Sequence, residues 1–536
     1  WVGELYLEYH RGTYTSMARN KKYNRRSEFL LENTELFSSM AKDLAGLPYP
    51  KQELEELWEI ALRNQFHDIV PGSSIFEVYE DSKAEYEKLL DAGNKLLDKA
   101  LLAVTEKVQT PQGSLVVFNP NGMPGEGAVI FDCPQGLVSP VLWDGEKEQP
   151  VQRMGDGSLL AWLSEVPSKG YASYGLKEQE KPWEHSSSLK VSCHELENEF
   201  LRVALSEEGQ ITSIYDKENQ RELLKEGQRG NVLMTYEDRP HNYDAWDINH
   251  YYKEKSWELT EVQEIQVTEE GPVRVSLRIR RQYLDSVIEQ TLSLCAGSRE
   301  LRIQNEIDWR EKKILLKSLF PVDIHTDEAV FEIQYGNVSR KTHYNTSWDF
   351  ARFEVCMHKW MDVSENGYGV SILNDCKYGV SVHDGVIGVS MLKSATYPNP
   401  QADKEHHSFC FSIYPHRGDF REAGTIQKAY ALNNPMRGIV KENHPGTLPG
   451  TYSALAVDVP NVIPEVVKEA EDGQGTVLRL YEAFNRRTRL KLHLGEGPWK
   501  AYLCNMLEEN EKELRTEGNE VELELKPFEI ATLRII

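Results

Sequence analysis

The spacing of apolar residues in this chain changes once, near residue 109, and that change limits what the chain can fold into. Before it, apolar residues recur at helical spacing in three segments. The first covers 26–44 and is stopped by Gly46 and Pro48; the second covers 50–66; the third covers 76–104, with Tyr79, Tyr86, Leu90, Leu97 and Val104 near heptad spacing. Three helices with short connections predict a small bundle. After Gln109-Thr110-Pro111-Gln112-Gly113 the sequence turns to short runs punctuated by Pro, Gly and Asn, such as Ser114-Leu115-Val116-Val117-Phe118. Long alternating segments come next, between 190 and 435, among them 273–280 and 300–307, in the pattern of a large antiparallel sandwich. The stretch 521–533 reads as a further β unit. The expected fold class is α+β and multidomain: a small three-helix bundle followed by mainly antiparallel β-sandwich domains. No parallel βαβ series and no phosphate-binding glycine loop is present, so barrel and Rossmann domains, and NAD or ATP roles, have no support within this chain.

Composition narrows the partners. The net charge of −24, from 85 acidic against 61 basic residues, disfavours nucleic acid and anionic membranes. Seven cysteines at wide spacing, with no CxxC, read as free or buried thiols in a reducing, cytoplasmic compartment. No signal peptide or apolar run of spanning length is found. The 11 Trp and 25 Tyr supply flat surfaces that stack on sugar rings, although most are ordinary filling for β cores. The chain starts at Trp1 rather than Met, so the expectation is either that the start was removed or that this is a piece of something longer.

Two places concentrate polar groups. At the predicted end of the second helix, Leu54, Leu57, Trp58, Ala61 and Leu62 form an apolar stripe. Carried on at ~100° per residue, Gln65 and Asp68 fall on that stripe and His67 points elsewhere, before Pro71 and Gly72 stop the helix. A carboxylate on a core-facing stripe is costly unless paired; a metal or a sugar hydroxyl would pair it. Residues 1–15 alternate, with Glu4, Tyr6, Glu8 and His10 on one face of an extended segment and Leu5, Leu7 and Tyr9 on the other.

Three stretches together resemble glycoside hydrolase family 38, the zinc-dependent α-mannosidases, in its cytosolic and bacterial branch. They are 3–16, the run Gln65-Phe66-His67-Asp68-Ile69-Val70-Pro71-Gly72, and 239–248 with its later companions at 342–349 and 373–379. The resemblance runs nearly end to end. It implies an architecture in which this chain comes after an N-terminal β/α barrel. The segments are then 1–22, the end of the catalytic groove; 23–108, the helical middle domain; 109–185, a small β domain; 186–435, the large sandwich; and 436–536, a C-terminal β domain, with a linker at 178–188.

The resemblance also assigns roles. It implies that His67 is one zinc ligand, as a neutral imidazole at ~2.0–2.1 Å, and that Asp68 accepts from sugar hydroxyls. A retaining glycosidase needs a second carboxyl ~5–5.5 Å from its nucleophile to protonate the leaving oxygen. Glu8 is the carboxyl best placed for this before Gly12-Thr13-Tyr14-Thr15-Ser16, with Glu4 the second candidate. Four residues of strand set the two ~13 Å apart, so they are not each other's partner. His10, Arg11 and Tyr14 are expected to line the same groove, Arg11 equally well as a structural ion pair. Asp244 and Asp247 bracket Trp246, either around a sugar or as a β-domain corner. The family's His-x-Asp zinc motif and its aspartate nucleophile belong to the barrel and have no counterpart here. His325-Thr326-Asp327 and Trp348-Asp349 are spacing matches in the wrong context. The implied activity is zinc-dependent, retaining hydrolysis of α-mannoside oligosaccharides, incomplete in this chain without the barrel domain. The alternatives are a non-catalytic scaffold whose β domains bind carbohydrate or mediate homo-oligomerisation, and one subunit of a split glycosidase.

Overall fold

The structure, a computed structural model, describes residues 3–536 except 111–113, 135, 179–187, 442–444, 496 and 498. The linker expected at 178–188 lies, but for its two ends, outside the described residues. Helix α1 spans Ala18–Ala45, α2 spans Lys51–Asn64 and α3 spans Phe76–Thr105. The first helix begins well before residue 26, because its opening turns bury polar rather than apolar side chains, among them Asn20, Lys21, Asn24 and Arg25. Its N-terminus is capped from afar: the Asp403 carboxylate accepts from Met17 N at 2.8 Å and Ala18 N at 2.7 Å. Gly46, at φ 71°, closes its other end as an αL cap.

The core of the three helices is not self-contained. Leu31, Phe37, Leu57, Ala61, Leu97 and Leu101 pack in one cluster with Val462, Leu480 and Leu533 of the C-terminal strands. The second helix ends at Asn64, short of Phe66, and its buried face is Leu54, Leu57, Ile60, Ala61 and Asn64. The expected stripe is therefore corrected. Leu62 is 59% exposed, and Asp68 lies beyond the helix rather than on its core face.

The named strands pair antiparallel throughout. The large sandwich is a nine-stranded sheet packed against a six-stranded and a five-stranded one, around a core that includes Leu277, Leu292, Ile303, Val389 and Phe411. Strand Arg274–Tyr283 shows how the sequence dictates this: Val275, Leu277 and Ile279 point inward while Arg274, Arg278 and Arg280 point out. The small sandwich begins with Ser114–Asn119 and is completed by Arg437–Lys441 and Thr451–Ser453, so strands from beyond residue 435 enter it. A third sandwich, of four-stranded and five-stranded sheets, ends the chain. All seven cysteines are free thiols. No helix of the described residues is long and apolar enough to cross a membrane.

Candidate functional site

The N-terminal segment does not form the extended strand that its alternation suggests. Glu8–His10 and Gly12–Tyr14 are 3-10 turns, held by Thr13 Oγ1 donating to His10 O at 2.6 Å and Arg11 Nη1 donating to Glu8 O at 2.5 Å. Glu4 and Glu8 therefore do not share a strand face. The segment threads against the loop that follows Tyr243. Gly12 N donates to Trp246 O at 2.7 Å, Thr13 N donates to the same oxygen at 3.2 Å, and Ser16 Oγ donates to Ala245 O at 2.6 Å. A Cβ on Gly12 would sit 2.5 Å from Lys393 Cε and 3.0 Å from Ala245 O, so only glycine permits this approach.

Several expected site residues are committed to holding this junction. Arg11 is buried; its guanidinium reaches Asp247 Oδ1 at 3.3 Å, donates twice to Ala351 O at 2.9 and 3.1 Å, and lies 4.5 Å from the Phe353 ring centre. Burial pushes the Asp247 carboxyl up despite the Arg11 charge beside it. Asp244 Oδ2 accepts from Lys313 Nζ at 2.7 Å and from the backbone N–H of Thr396 and Tyr397. Burial would raise its pKa, but those donors hold it below the usual carboxylate range. Trp246 is half-buried against Met17, Tyr79 and Ala245. The Asp-Trp-Asp bracket is thus a corner of the sandwich. Glu4 forms a two-point pair with Arg340, at 2.5 and 2.9 Å. Burial raises its pKa and Arg340 outweighs that, leaving it low, which is the wrong direction for a proton donor. Tyr14 is half-buried, and burial pushes its hydroxyl pKa up. His10 is half-buried too, with Nδ1 lacking a hydrogen-bond partner among the described residues.

The segment carrying His67 and Asp68 is fixed by its backbone and free at its side chains. Lys21 Nζ, inside the protein, donates to Ser16 O, to Val70 O at 3.0 Å and to Pro71 O at 3.2 Å. Ser74 Oγ donates to Asp68 O at 2.7 Å, and Tyr79 OH to Ile69 O at 3.2 Å. Gly72, at φ 96°, lies so close to Ser16 that a Cβ would be 2.4 Å from its carbonyl oxygen. Gln65 Nε2 reaches back to Asn24 and Glu28 on α1. On this frame the His67 and Asp68 side chains are 77% and 46% exposed and pair with each other, Nε2 to Oδ2 at 3.1 Å, with no other ion-pair partner among the described residues. Lys21 and Asp403 were not foreseen from sequence, and Gly72 was foreseen as a helix stop but not for its contact with Ser16. Their partners are remote, and only the Pro-Gly punctuation at 71–72 hinted at any of them.

The Phe66 ring lies against His67, with ring centres 4.3 Å apart, and other aromatic rings are exposed elsewhere on the chain. Tyr9, Phe66, Tyr243, Trp348 and Tyr397 are each more than half exposed. Tyr9 meets Tyr243 at 6.2 Å between ring centres, and Tyr243 meets Trp246 at the same distance. Among the described residues no group of three His, Cys, Asp or Glu could hold a metal ion. One imidazole and one carboxylate are fewer ligands than zinc requires, so these residues fit a share of a zinc shell and not a whole one.

Known proteins place the chain. Residues 8–104 match the alpha mannosidase middle domain, 196–401 the glycosyl hydrolases family 38 C-terminal domain, and 461–533 the family 38 C-terminal beta sandwich domain. The chain is 36% identical over 550 residues to alpha-mannosidase 2C1 of Homo sapiens, covering 100% of this chain and 50% of that protein. It is 31% identical over 583 residues to alpha-mannosidase G of Dictyostelium discoideum, covering 100% of this chain and 53% of that one. The chain therefore spans about half the length of these curated relatives. The crystal structure of an alpha-mannosidase from Enterococcus faecalis shares the fold with a TM-score of 0.82 over 98% of this chain and 68% of that one, at 20% identity.

Proposed function

The chain belongs to glycosyl hydrolase family 38, and from that premise we propose that it is the C-terminal part of a cytoplasmic, zinc-dependent, retaining α-mannosidase. The observation that carries this reading is the His67–Asp68 pair, held in place through its backbone, open to solvent in side chain, and flanked by the exposed Phe66 ring. His67 would be one ligand of a zinc ion whose remaining ligands lie outside the described residues, and that ion would grip and orient sugar hydroxyls. Asp68 would accept from two neighbouring hydroxyls of the same sugar. Glu8 is exposed, and no hydrogen bond ties down its carboxylate among the described residues. As an acid it would give its proton to the glycosidic oxygen while the C–O bond breaks; as a base it would then take a proton from water. The exposed rings of Tyr9, Phe66 and Tyr243 would lie against a preceding barrel domain, which would supply the nucleophile and the other ligands. The substrate class would be α-mannoside oligosaccharides.

The test is zinc-dependent hydrolysis of a chromogenic α-mannoside by this chain, alone and mixed with a barrel half taken from a relative. Activity only in the mixture, lost in His67→Ala along with zinc retention on a desalting column, is the expected result. Activity of the chain alone would overturn the division of the site. A mixture whose zinc content and turnover ignore His67→Ala would overturn the ligand assignment.

A further inference from the structure

A groove of about 610 Å³ lies between the small sandwich, the helix Thr425–Asn433 and the outer face of the nine-stranded sheet. Its floor is built by strand register. Ser276 lies opposite Ser293, Ser293 opposite Arg302, and Thr291 opposite Gln304, all facing away from the core that their neighbours Leu277, Leu292 and Ile303 fill. An outer sheet face covered by another domain is normally packed with apolar side chains. This one is covered and has stayed polar and open.

The chemistry of the lining selects a ligand. Three carboxylates, Glu126, Glu269 and Asp375, balance three cations, Arg274, Arg302 and Lys428, so neither an anion nor a cation is favoured. Arg274 is spent on a two-point pair with Glu269 at 2.6 and 2.7 Å, and Lys428 on Glu126 at 2.5 Å, a bridge that spans the groove wall. Arg302 is not spent. It uses only Nε, at 3.4 Å from Glu300, leaving both terminal nitrogens without a partner among the described residues. The Thr291 hydroxyl and the Gln304 carbonyl likewise carry no hydrogen bond there, while Gln304 Nε2 is held by Glu306 and Ser408. Donors and acceptors therefore alternate across the floor, and Met123, Ile130, Leu432 and Met436 offer apolar surface on the other side. A neutral polyhydroxyl ligand presents this same mixture, with hydroxyls on its rim and C–H groups on its faces. The volume lies within the ~300–1,000 Å³ of small-ligand sites and suits about two or three hexose rings.

We propose that this groove is a binding subsite for a neutral oligosaccharide. It shares no residue with the His67 segment, and it stands whether or not the mannosidase reading holds. The probe is mannotriose, titrated into the full chain by calorimetry, with a trisaccharide of uronic acids as the charged control. Saturable binding of mannotriose is expected, at least tenfold tighter than the uronate, unchanged in His67→Ala and weakened at least tenfold in Arg302→Met. Thr291→Val keeps the floor's shape and removes one hydroxyl; it should weaken binding severalfold, and it decides the matter if Arg302→Met folds poorly. Absence of saturable binding, tighter binding of the uronate, or binding that follows His67 and ignores Arg302 and Thr291 would each overturn the proposal.

Discussion

Replacing Arg11 with Met should release the N-terminal segment from the large sandwich. The guanidinium is the hub of that junction, with Asp247, Ala351, Glu8 and the Phe353 ring all in contact with it. Breaking one side of a buried pair costs ~3–5 kcal/mol, because the surviving charge stays desolvated and unpaired. Arg11 and Asp247 keep 10% and 12% side-chain exposure, which moves the expectation to the lower end, about 3 kcal/mol. The readout is hydrogen exchange in the peptide that contains Gly12 and Thr13, whose amides both donate to Trp246 O. A loss of about 3 kcal/mol in local opening, at 1.4 kcal/mol per decade, is roughly a hundredfold faster exchange. The double variant Arg11→Met/Asp247→Leu removes the orphaned charge and should recover ~1–2 kcal/mol of that loss. Exchange within threefold of the wild type in the single variant would refute the account. So would a double variant that exchanges no slower than the single one.

Gly72→Ala combines a left-handed φ of 96° with a Cβ 2.4 Å from Ser16 O; it should cost ~2 kcal/mol or more and expose 66–74 to protease, and an unchanged melting temperature would count against the contact. Burial pushes His358 and His407 each down to about 3. Below pH 6.5 the unfolded chain binds their protons and the folded chain does not, so each withdraws stability as pH falls from 6.5 towards 3, by ~2–3 kcal/mol at pH 4.5. Glu35, which burial raises to about 7, works in the opposite sense between pH 7 and 4.5. The comparison must therefore be a difference: the fall in urea stability from pH 7 to 4.5 should be smaller by that ~2–3 kcal/mol in His358→Phe than in the wild type, and equal falls would rule out a buried, neutral His358.

The sequence was most legible where one apolar period ran unbroken. Helix α3 was expected at 76–104 and spans Phe76–Thr105, and the strands expected at 273–280 and 300–307 became Arg274–Tyr283 and Leu301–Asp308. In these elements the buried face is apolar and local pattern suffices. It failed where burial is polar. The first turns of α1 pack by hydrogen bonds, Asn20 to Ser82 and Arg25 to Asn433, so no stripe announces them. It also misled where alternation had no sheet to join. Leu5, Leu7 and Tyr9 recur every second residue, yet they are 77%, 57% and 61% exposed in a segment of turns. The boundary of α2 mattered most for the site. Extrapolating the stripe past Asn64 put Asp68 in the core, whereas the chain leaves the helix first and the carboxylate emerges into solvent.

The candidate site therefore could not be ranked from residue types alone, because the decisive property is how much of each side chain's bonding capacity the protein itself consumes. A charged group can act on a substrate only with the capacity left over after folding. Glu4 has spent its capacity on Arg340, and Arg11 and Asp247 theirs on each other and on backbone groups, whereas Asp244 has committed Oδ2 to Lys313 and backbone N–H groups and keeps Oδ1 without a partner among the described residues. Freeing Arg11 or Asp247 for a sugar would first require breaking a buried pair, at a few kcal/mol, more than the ~1.5–3 kcal/mol that a hydrogen bond to a charged group returns. Among the described residues, the side chains of His67, Asp68 and Glu8 carry no such ion-pair commitment beyond the contact between His67 and Asp68. That contact is solvent-exposed and worth ~1 kcal/mol or less, so a metal ion or a pair of hydroxyls can displace it. The motif pointed to both sets of residues; the structure distinguishes them by how much of each side chain's bonding capacity is already paired inside the protein.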